Sequence, residues 1–487
     1  MQTSSSIENL SPKAVWSYFS RICRIPHVSG HEKDIGEYLM SVAANLGLEA
    51  EMSDSGNVFI TKPASAGMEN SPSVLLQSHM DMVGVKETEL HFNFQKDAIR
   101  PVISDDGFVT AEGTTLGADN GIGVAIILAI LSDDTLRHPK IKALFTVSEE
   151  TSMGGANTLT EDDMDCNLAI NIDSEDIGEI CIGCAGGTAY NISYTPDIRE
   201  VPESGFGAVE IRMSNGRGGH SGIDINKNRL NGGGTLLYLL SALKEEGFNV
   251  CVSKFSSGHV RNSIPSCASA TLCLQEHLIN KFINSLQDII NRVQTKFSES
   301  DPDVSFEITR LDTLPAVMMT EESTADFLNL KSLNTKIIEY LDDGVTPLTS
   351  CSMGVARLEN NICRFELLAR YATDDGKAKI ENKIEDIADA CHARIDHKES
   401  YVFWKPDFNS SLMKLASDEY EKLTGKKTVT TVIHAGLECG LFKALNPKLD
   451  IISIGPDIYG AHSTSERVRI SSVETCYKWI VSILEKL

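Results

Sequence analysis

The sequence predicts an α/β protein, in which a domain built on a mixed sheet flanked by helices is interrupted by a large α+β domain. Three observations lead there. Short β-branched apolar runs recur, and each hands an acid or a histidine to the chain just beyond it. The texture changes near Gly186-Gly187 and returns from about Val402, so that the first and last thirds read as one domain around an insertion. A chain of 487 residues is also too long for one ordinary core. The expected boundaries are residues 1–187 and 402–487 for the outer domain and 188–401 for the insertion.

Composition narrows the functional classes. With 41% hydrophobic and 23% charged residues, the chain has the make-up of a soluble globular protein. A net charge of -24 argues against nucleic acid or an anionic membrane as partner, because both are bound by neutralising phosphates with Lys and Arg. The longest apolar run, Val124 to Leu131, is too short to span a bilayer. The N-terminus MQTSSSIENLSPKAVW lacks a basic start and apolar core, so a cytoplasmic location is expected. Twelve scattered cysteines fit free thiols in a reducing compartment. Cys181 and Cys184 form a C-x-x-C with no second pair, and neither a metal nor a redox role is expected of them.

In chain order, Ser11 and Pro12 open a helix to about Cys23, and His31 to about Leu46 reads as another, with His27 and His31 in the loop between. Val74 to Gln77 is a strand with His79-Met80-Asp81 just beyond it, where a histidine can ligate a metal and the Asp two residues on can support it. A hairpin turns near Asp105-Asp106-Gly107. GADNGIG then sets Asp119 in a glycine-flanked loop before an apolar helix, where an ordinary N-cap is the bland alternative. Ile141 to Val147 is a buried strand that delivers the adjacent acids Glu149 and Glu150, and Leu168 to Ile172 is another that runs into Asp173.

The insertion shows strands at Val209 to Ser214, Val250 to Phe255 and Ala268 to Leu274. Helices are expected near Leu230 to Glu246, Leu278 to Phe297, Ala325 to Leu341 and Lys377 to Arg394. It carries His220 in the glycine-rich RGGHSG, Asn262 in RNSIP, and a hairpin turning at Glu359-Asn360-Asn361 that ends at Arg370. Beyond it, VTTVIHAGLECGLF is a strand followed by a helix opening at Gly436, and a last strand and glycine loop present His462.

Singly, these acids and histidines are explained as surface charge, caps and core histidines. Together His79, Asp119, Glu150, Asp173 and His462 form a set suited to zinc or another divalent ion of borderline hardness. Five ligands are too many for one tetrahedral site with an open position, and enough for two ions if one carboxylate bridges. Such a pair, roughly 3.5 to 4 Å apart, lowers the pKa of a shared water to about 7. Glu149, beside a ligand and not needed as one, is the candidate general base.

HMD, GADNGIG, SEET, NIDSED, RGGHSG, IHAGLECGLF and GAHSTSE run in order along the whole chain, and together they resemble the zinc-dependent aminoacyl-histidine dipeptidases, also called peptidase D or Xaa-His dipeptidases. These belong to the wider superfamily of cocatalytic zinc exopeptidases and deacylases. The resemblance implies a catalytic domain interrupted by a lid domain, and metal-dependent hydrolysis of dipeptides, preferentially Xaa-His. It implies one zinc held by His79 and Asp173 and another by Glu150 and His462, with Asp119 bridging; Co2+ or Mn2+ could replace zinc. Asp81 would orient His79, and Glu149 would act as base and then pass its proton to the leaving amine. In the lid, His220 would stabilise the oxyanion, while Asn262, Arg370 and the Gly436 backbone would hold the substrate's ends. Lid closure would bring His220 to the metals.

Two local departures stand out: LLARYATDD around Arg370 in place of a small-polar run such as RSS, and STSE after His462 in place of Pro-Asp-Glu. The rival readings are a tripeptidase or N-acyl amino acid deacylase with the same metal chemistry, a noncatalytic metal-binding protein, and nucleophilic catalysis by Cys439 with His434 or His462. Small peptides are the expected partners, and exposed lid strands would suit a homodimer through the lid.

Overall fold

A computed structural model describes residues 6–487; the first five, part of the N-terminal stretch read above for a secretory signal, lie outside it. The chain divides into two compact units. Of the described residues, one comprises 6–184, Trp404–Val432 and Leu437–Leu487, the other Ala185–Phe403 and Ile433–Gly436.

Among the described residues, the first unit is built on an eight-stranded sheet. Its order is Glu49–Met52, Val58–Lys62, Ile141–Thr146, Val74–His79, Leu168–Asn171, Asp450–Ser453, Glu179–Cys184, Val429–Ile433. The four strands from Ile141–Thr146 to Asp450–Ser453 run parallel, and their neighbours on either side pair antiparallel, so the sheet is mixed. Parallel strands are covered on both faces, which is why they read as unbroken apolar runs. Because they point the same way, their C-terminal ends share one edge, the edge at which open α/β sheets carry their sites. Val74–His79 is the central donor to that edge: His79 lies opposite Thr146 on one side, and Gln77 opposite Asn171 on the other.

The helix Ala118–Ser132 is buried at nearly every position. Its apolar residues therefore cover the whole circumference instead of one stripe. Two glycines let it lie close to its neighbours. A Cβ at Gly121 would meet the Phe19 ring at 3.2 Å, and one at Gly123 would strike Ser78 Oγ and sit 2.6 Å from Ile172 O. The start of this helix thus rests directly on the strand ends that lead to His79 and Asp173.

Among its described residues, the second unit has a nine-stranded antiparallel sheet, in which Ser305–Leu311, Phe206–Ser214, Ala268–Gln275, Cys251–Ser257, Pro347–Glu359, Ile362–Tyr371, Gly186–Tyr194 and Arg394–Tyr401 follow one another and the ninth, Lys336–Tyr340, pairs with Pro347–Glu359 off this path. Its helix Ile279–Lys296 buries Ile279, Phe282, Leu286, Ile289, Ile290 and Val293, the three-and-four spacing of one face. The long hairpin turns at Asn360 and Asn361, whose φ values of 51° and 61° are those of the two-residue turn that matches strand twist. Its return strand sets Arg370 opposite Ser350 on one side and Gly187 on the other.

One expected element is wrong. Ala325 to Leu341 is not one helix: the helix Glu321–Asn329, capped by Thr320, gives way to a 3-10 turn, and Lys336–Tyr340 is a strand on Pro347–Glu359. The β-branched pair Ile337-Ile338 and the turn closed by Gly344 (φ 70°) favour a hairpin over a fifth helical turn. The helix expected to open at Gly436 starts at Glu438. Among the described residues no helix is long and apolar enough to cross a membrane.

Candidate functional site

His79 ends its strand and is 1% exposed. Its Nδ1 lies 3.0 Å from the Asp81 carbonyl, which can only accept, so Nδ1 donates and Nε2 faces the other way. Nε2 is 3.1 Å from Asp119 Oδ1 and 3.3 Å from Asp173 Oδ1. The second Asp119 oxygen, Oδ2, is 3.2 Å from His462 Nε2, and that nitrogen is 2.9 Å from Glu150. One carboxylate therefore spans two imidazoles, and each imidazole has a further acid beside it.

Local structure explains how each side chain arrives. Asp119 is not an N-cap: Gly117 holds that place in the left-handed region (φ 71°), and Asp119 itself has φ -84° and ψ 102°, outside the helical range. Asn120, joined to Asp119 by a cis peptide bond, donates its side-chain amide to Asp173 Oδ1. After Thr146 the chain turns through Ser148, a non-glycine residue at φ 54°, into the single helical turn Glu149–Ser152. Glu32 Oε1 holds Ser148 by both its N–H and its hydroxyl, each at 3.0 Å. His462 is likewise left-handed at φ 61°. Such strained positions persist where surrounding contacts fix them, and they gather at functional sites.

Asp81 has several partners. Its carboxylate is 3.4 Å from His79 Nδ1, but it also accepts from Ser29 Oγ at 2.7 Å and from the Glu149 and Glu150 backbone at 3.0 and 3.3 Å. It ties the histidine to the acidic turn. The Glu149 carboxylate, by contrast, takes no hydrogen bond among the described residues.

Three groupings place one ligand atom per residue within 4.8 Å of the others: His79, Asp119 and Asp173; Asp119, Glu150 and His462; and His79, Glu149 and Glu150. The first two share Asp119. Their electrostatics fit a cation. Burial opposes charge on His79, yet Asp173, Asp119 and Asp81 outweigh it and raise its pKa well above the usual range. Hydrogen bonds to Asp119 and Glu150 hold His462 up to about 11. Burial raises Glu149, Glu150 and Asp173. Protons gather where acids crowd in low dielectric, and divalent ions bind such groups by displacing them. One imidazole and two carboxylates per triad suit zinc-like ions.

The remaining residues singled out in the sequence, His220, Asn262, Arg370 and Gly436, belong to the second unit. Arg370 is 3% exposed; its Nη1 donates to Tyr401 OH at 3.0 Å and its Nη2 lies 3.4 Å from His220 Nε2. Among the described residues no carboxylate pairs with it, and its Nε has no partner. His220 Nδ1 accepts from the Gly222 and Ile223 N–H groups at 3.2 and 3.1 Å. Asn262 meets this segment through its backbone, whose carbonyl accepts from Ser221 at 2.8 Å. His434, two residues before Gly436, is 2.7 Å from Ser350 Oγ.

His27 and His31 join none of the three groupings, and neither do Cys181 and Cys184. Cys439 is buried and its thiol is pushed well above the ordinary range, the opposite of an activated nucleophile. The sequence reading missed Glu438. It is 1% exposed and accepts from Gln77 at 2.6 Å and Thr146 at 2.9 Å, with Asn171 donating to Gln77 behind it. An acid opening an apolar helix was the available signal.

Comparison with known proteins extends the geometry. The chain is 35% identical to the cytosol non-specific dipeptidase of Escherichia coli (strain K12), over 99% of each. It is similar to the crystal structure of an aminoacylhistidine dipeptidase from Vibrio alginolyticus, with a TM-score of 0.88, 34% identity, and 99% and 98% of the two chains covered. A tripeptidase from Staphylococcus aureus shares the fold at a TM-score of 0.56 and 15% identity, over 98% of each chain. The family match spans residues 75–486, from the strand that carries His79 to the last helix, so both triads fall inside it, and the chain belongs to peptidase family M20/M25/M40.

Proposed function

We propose that this peptidase hydrolyses dipeptides, with preference for a C-terminal histidine, using two divalent metal ions, zinc foremost. The observation that carries the reading is the pair of triads sharing Asp119, with Glu149 adjacent and its carboxylate free of hydrogen bonds among the described residues. His79 and Asp173 would hold one ion, Glu150 and His462 the other, and Asp119 both. Bound there, the ions supply Lewis acidity and a lowered water pKa.

The protein's own groups do the rest. Glu149 takes a proton from the attacking water and delivers it to the leaving amine, its carboxylate held by no other hydrogen bond among the described residues. Asp81 keeps the proton of His79 on Nδ1, so that Nε2 stays a donor of electrons. Arg370, a buried guanidinium without an acid, would bind the substrate carboxylate, with Asn262 and the Gly436 backbone fixing the substrate's ends. With Nδ1 occupied as acceptor, His220 would turn Nε2 toward the oxyanion.

The histidine preference follows the likeness to the Vibrio alginolyticus enzyme, whereas the Escherichia coli relative is described as non-specific. A rate panel of Xaa-His dipeptides, other dipeptides, tripeptides and N-acetyl amino acids, run with and without chelator, tests the proposal. Fastest turnover of N-acetyl substrates or tripeptides would replace it with the deacylase or tripeptidase reading, and equal rates on all dipeptides would remove the preference.

A further inference from the structure

We propose that Glu466 is a positioning residue that locks the loop bearing Asp119 to the loop bearing His462 and so sets the geometry of the triad they share with Glu150. The inference rests on the reading of that triad as a metal site. Glu466 is 2% exposed, and four successive backbone N–H groups converge on its carboxylate. Leu116 and Gly117 donate to Oε2 at 2.7 and 3.0 Å, and Ala118 and Asp119 to Oε1 at 2.7 and 3.2 Å. Gly117, left-handed, lets residues 116–119 curl around the carboxylate as a concave nest.

The other side of the clamp is equally fixed. Glu466 N–H donates to Ser463 O at 3.1 Å, Ser463 Oγ donates to Gly460 O at 2.7 Å, and Thr110 Oγ1 donates to Glu466 O at 3.0 Å. The turn that results is short, and His462 sits within it. The separation of Asp119 Oδ2 and His462 Nε2, 3.2 Å, is therefore set by a residue that touches neither side chain. Only an acceptor-only group can serve four donors; an amide would turn its NH2 toward two of them. The STSE departure noted in the sequence leaves this one acid in place.

Calorimetric titration of the chelated full-length protein with Co2+, followed in parallel by visible absorption, tests the role. Wild type should show two binding events, with His462→Ala marking the event that belongs to its triad. Glu466→Gln should raise the dissociation constant of that event about 10- to 100-fold and move the other less. Glu466→Asp, which keeps the charge and shortens the reach, should fall between, and it stands in if Glu466→Gln does not fold. Thr464→Ala should bind as wild type does. Unchanged affinities in Glu466→Gln overturn the inference, as does equal weakening of both events, which a general loss of structure would produce. Fewer than two events in wild type would instead overturn the metal reading beneath it.

Discussion

Replacing Gly123 by alanine tests whether the helix Ala118–Ser132 must lie directly on the strand ends. The new methyl would sit 2.6 Å from Ile172 O and strike Ser78 Oγ and Asn120 Oδ1. Ile172 cannot retreat, because its N–H donates to Gln77 O at 2.9 Å within the central strands. An ordinary contact needs about 3.5 Å, so the helix start must back away by about 1 Å. In a helix interior alanine is otherwise favoured over glycine by about 1 kcal/mol, while overpacking costs about 1–3 kcal/mol. The net loss of stability is therefore about 0–2 kcal/mol, and the chain should still fold. Function should suffer more, because Asp119 rides on the displaced turn and a misplacement of about 1 Å lowers turnover about 100-fold. Gly121→Ala is the matched control: its methyl meets only side chains, the Phe19 ring at 3.2 Å and Ile22 Cγ2 at 3.4 Å, and these can turn aside. The assay is kcat/KM on a dipeptide with metal restored, alongside metal stoichiometry and a thermal melt. Gly123→Ala with wild-type turnover and metal content would refute the close-approach argument.

Glu149→Ala should retain both ions and lose about 100- to 10,000-fold in kcat, whereas Asp119→Ala should lose metal from both triads; metal analysis beside steady-state rates separates them, and near-normal turnover in Glu149→Ala would remove it as the base. Arg370→Met should lower kcat/KM for dipeptides about 10- to 100-fold without lowering the melting temperature, since it removes a buried charge that has no acid partner; a lower melting temperature with unchanged kcat/KM would make Arg370 structural. The chelated protein should lose thermal stability as pH rises from about 5 to about 9. Burial raises Glu438 to about 7, and hydrogen bonds to Asp119 and Glu150 raise His462 to about 11, so across this window the folded chain holds more protons than the unfolded one. Divalent ions, which require the deprotonated ligands, should flatten the profile, and a stability that rises with pH in chelator would contradict the sign.

The sequence by itself located the central strands, though not their direction, and their ends to within two residues, because strands covered on both faces must be apolar throughout and the first polar residues after them mark the sheet edge. It thereby placed His79, the Glu149-Glu150 pair and Asp173 at strand ends, and the Asn360-Asn361 turn fixed the register that carries Arg370. It failed at Ala325 to Leu341, where a helix and an edge strand share similar apolar spacing and pairing with Pro347–Glu359 decided between them. Tertiary structure alone decided the rest: that Gly123 is the point of contact under the helix, that Asp81 grips the acidic turn through its backbone, and that Glu438 and Glu466 are buried acids. Those facts depend on which N–H groups and which carbonyl meet across hundreds of residues, and side-chain identity along the chain does not encode the direction in which a distant backbone group points.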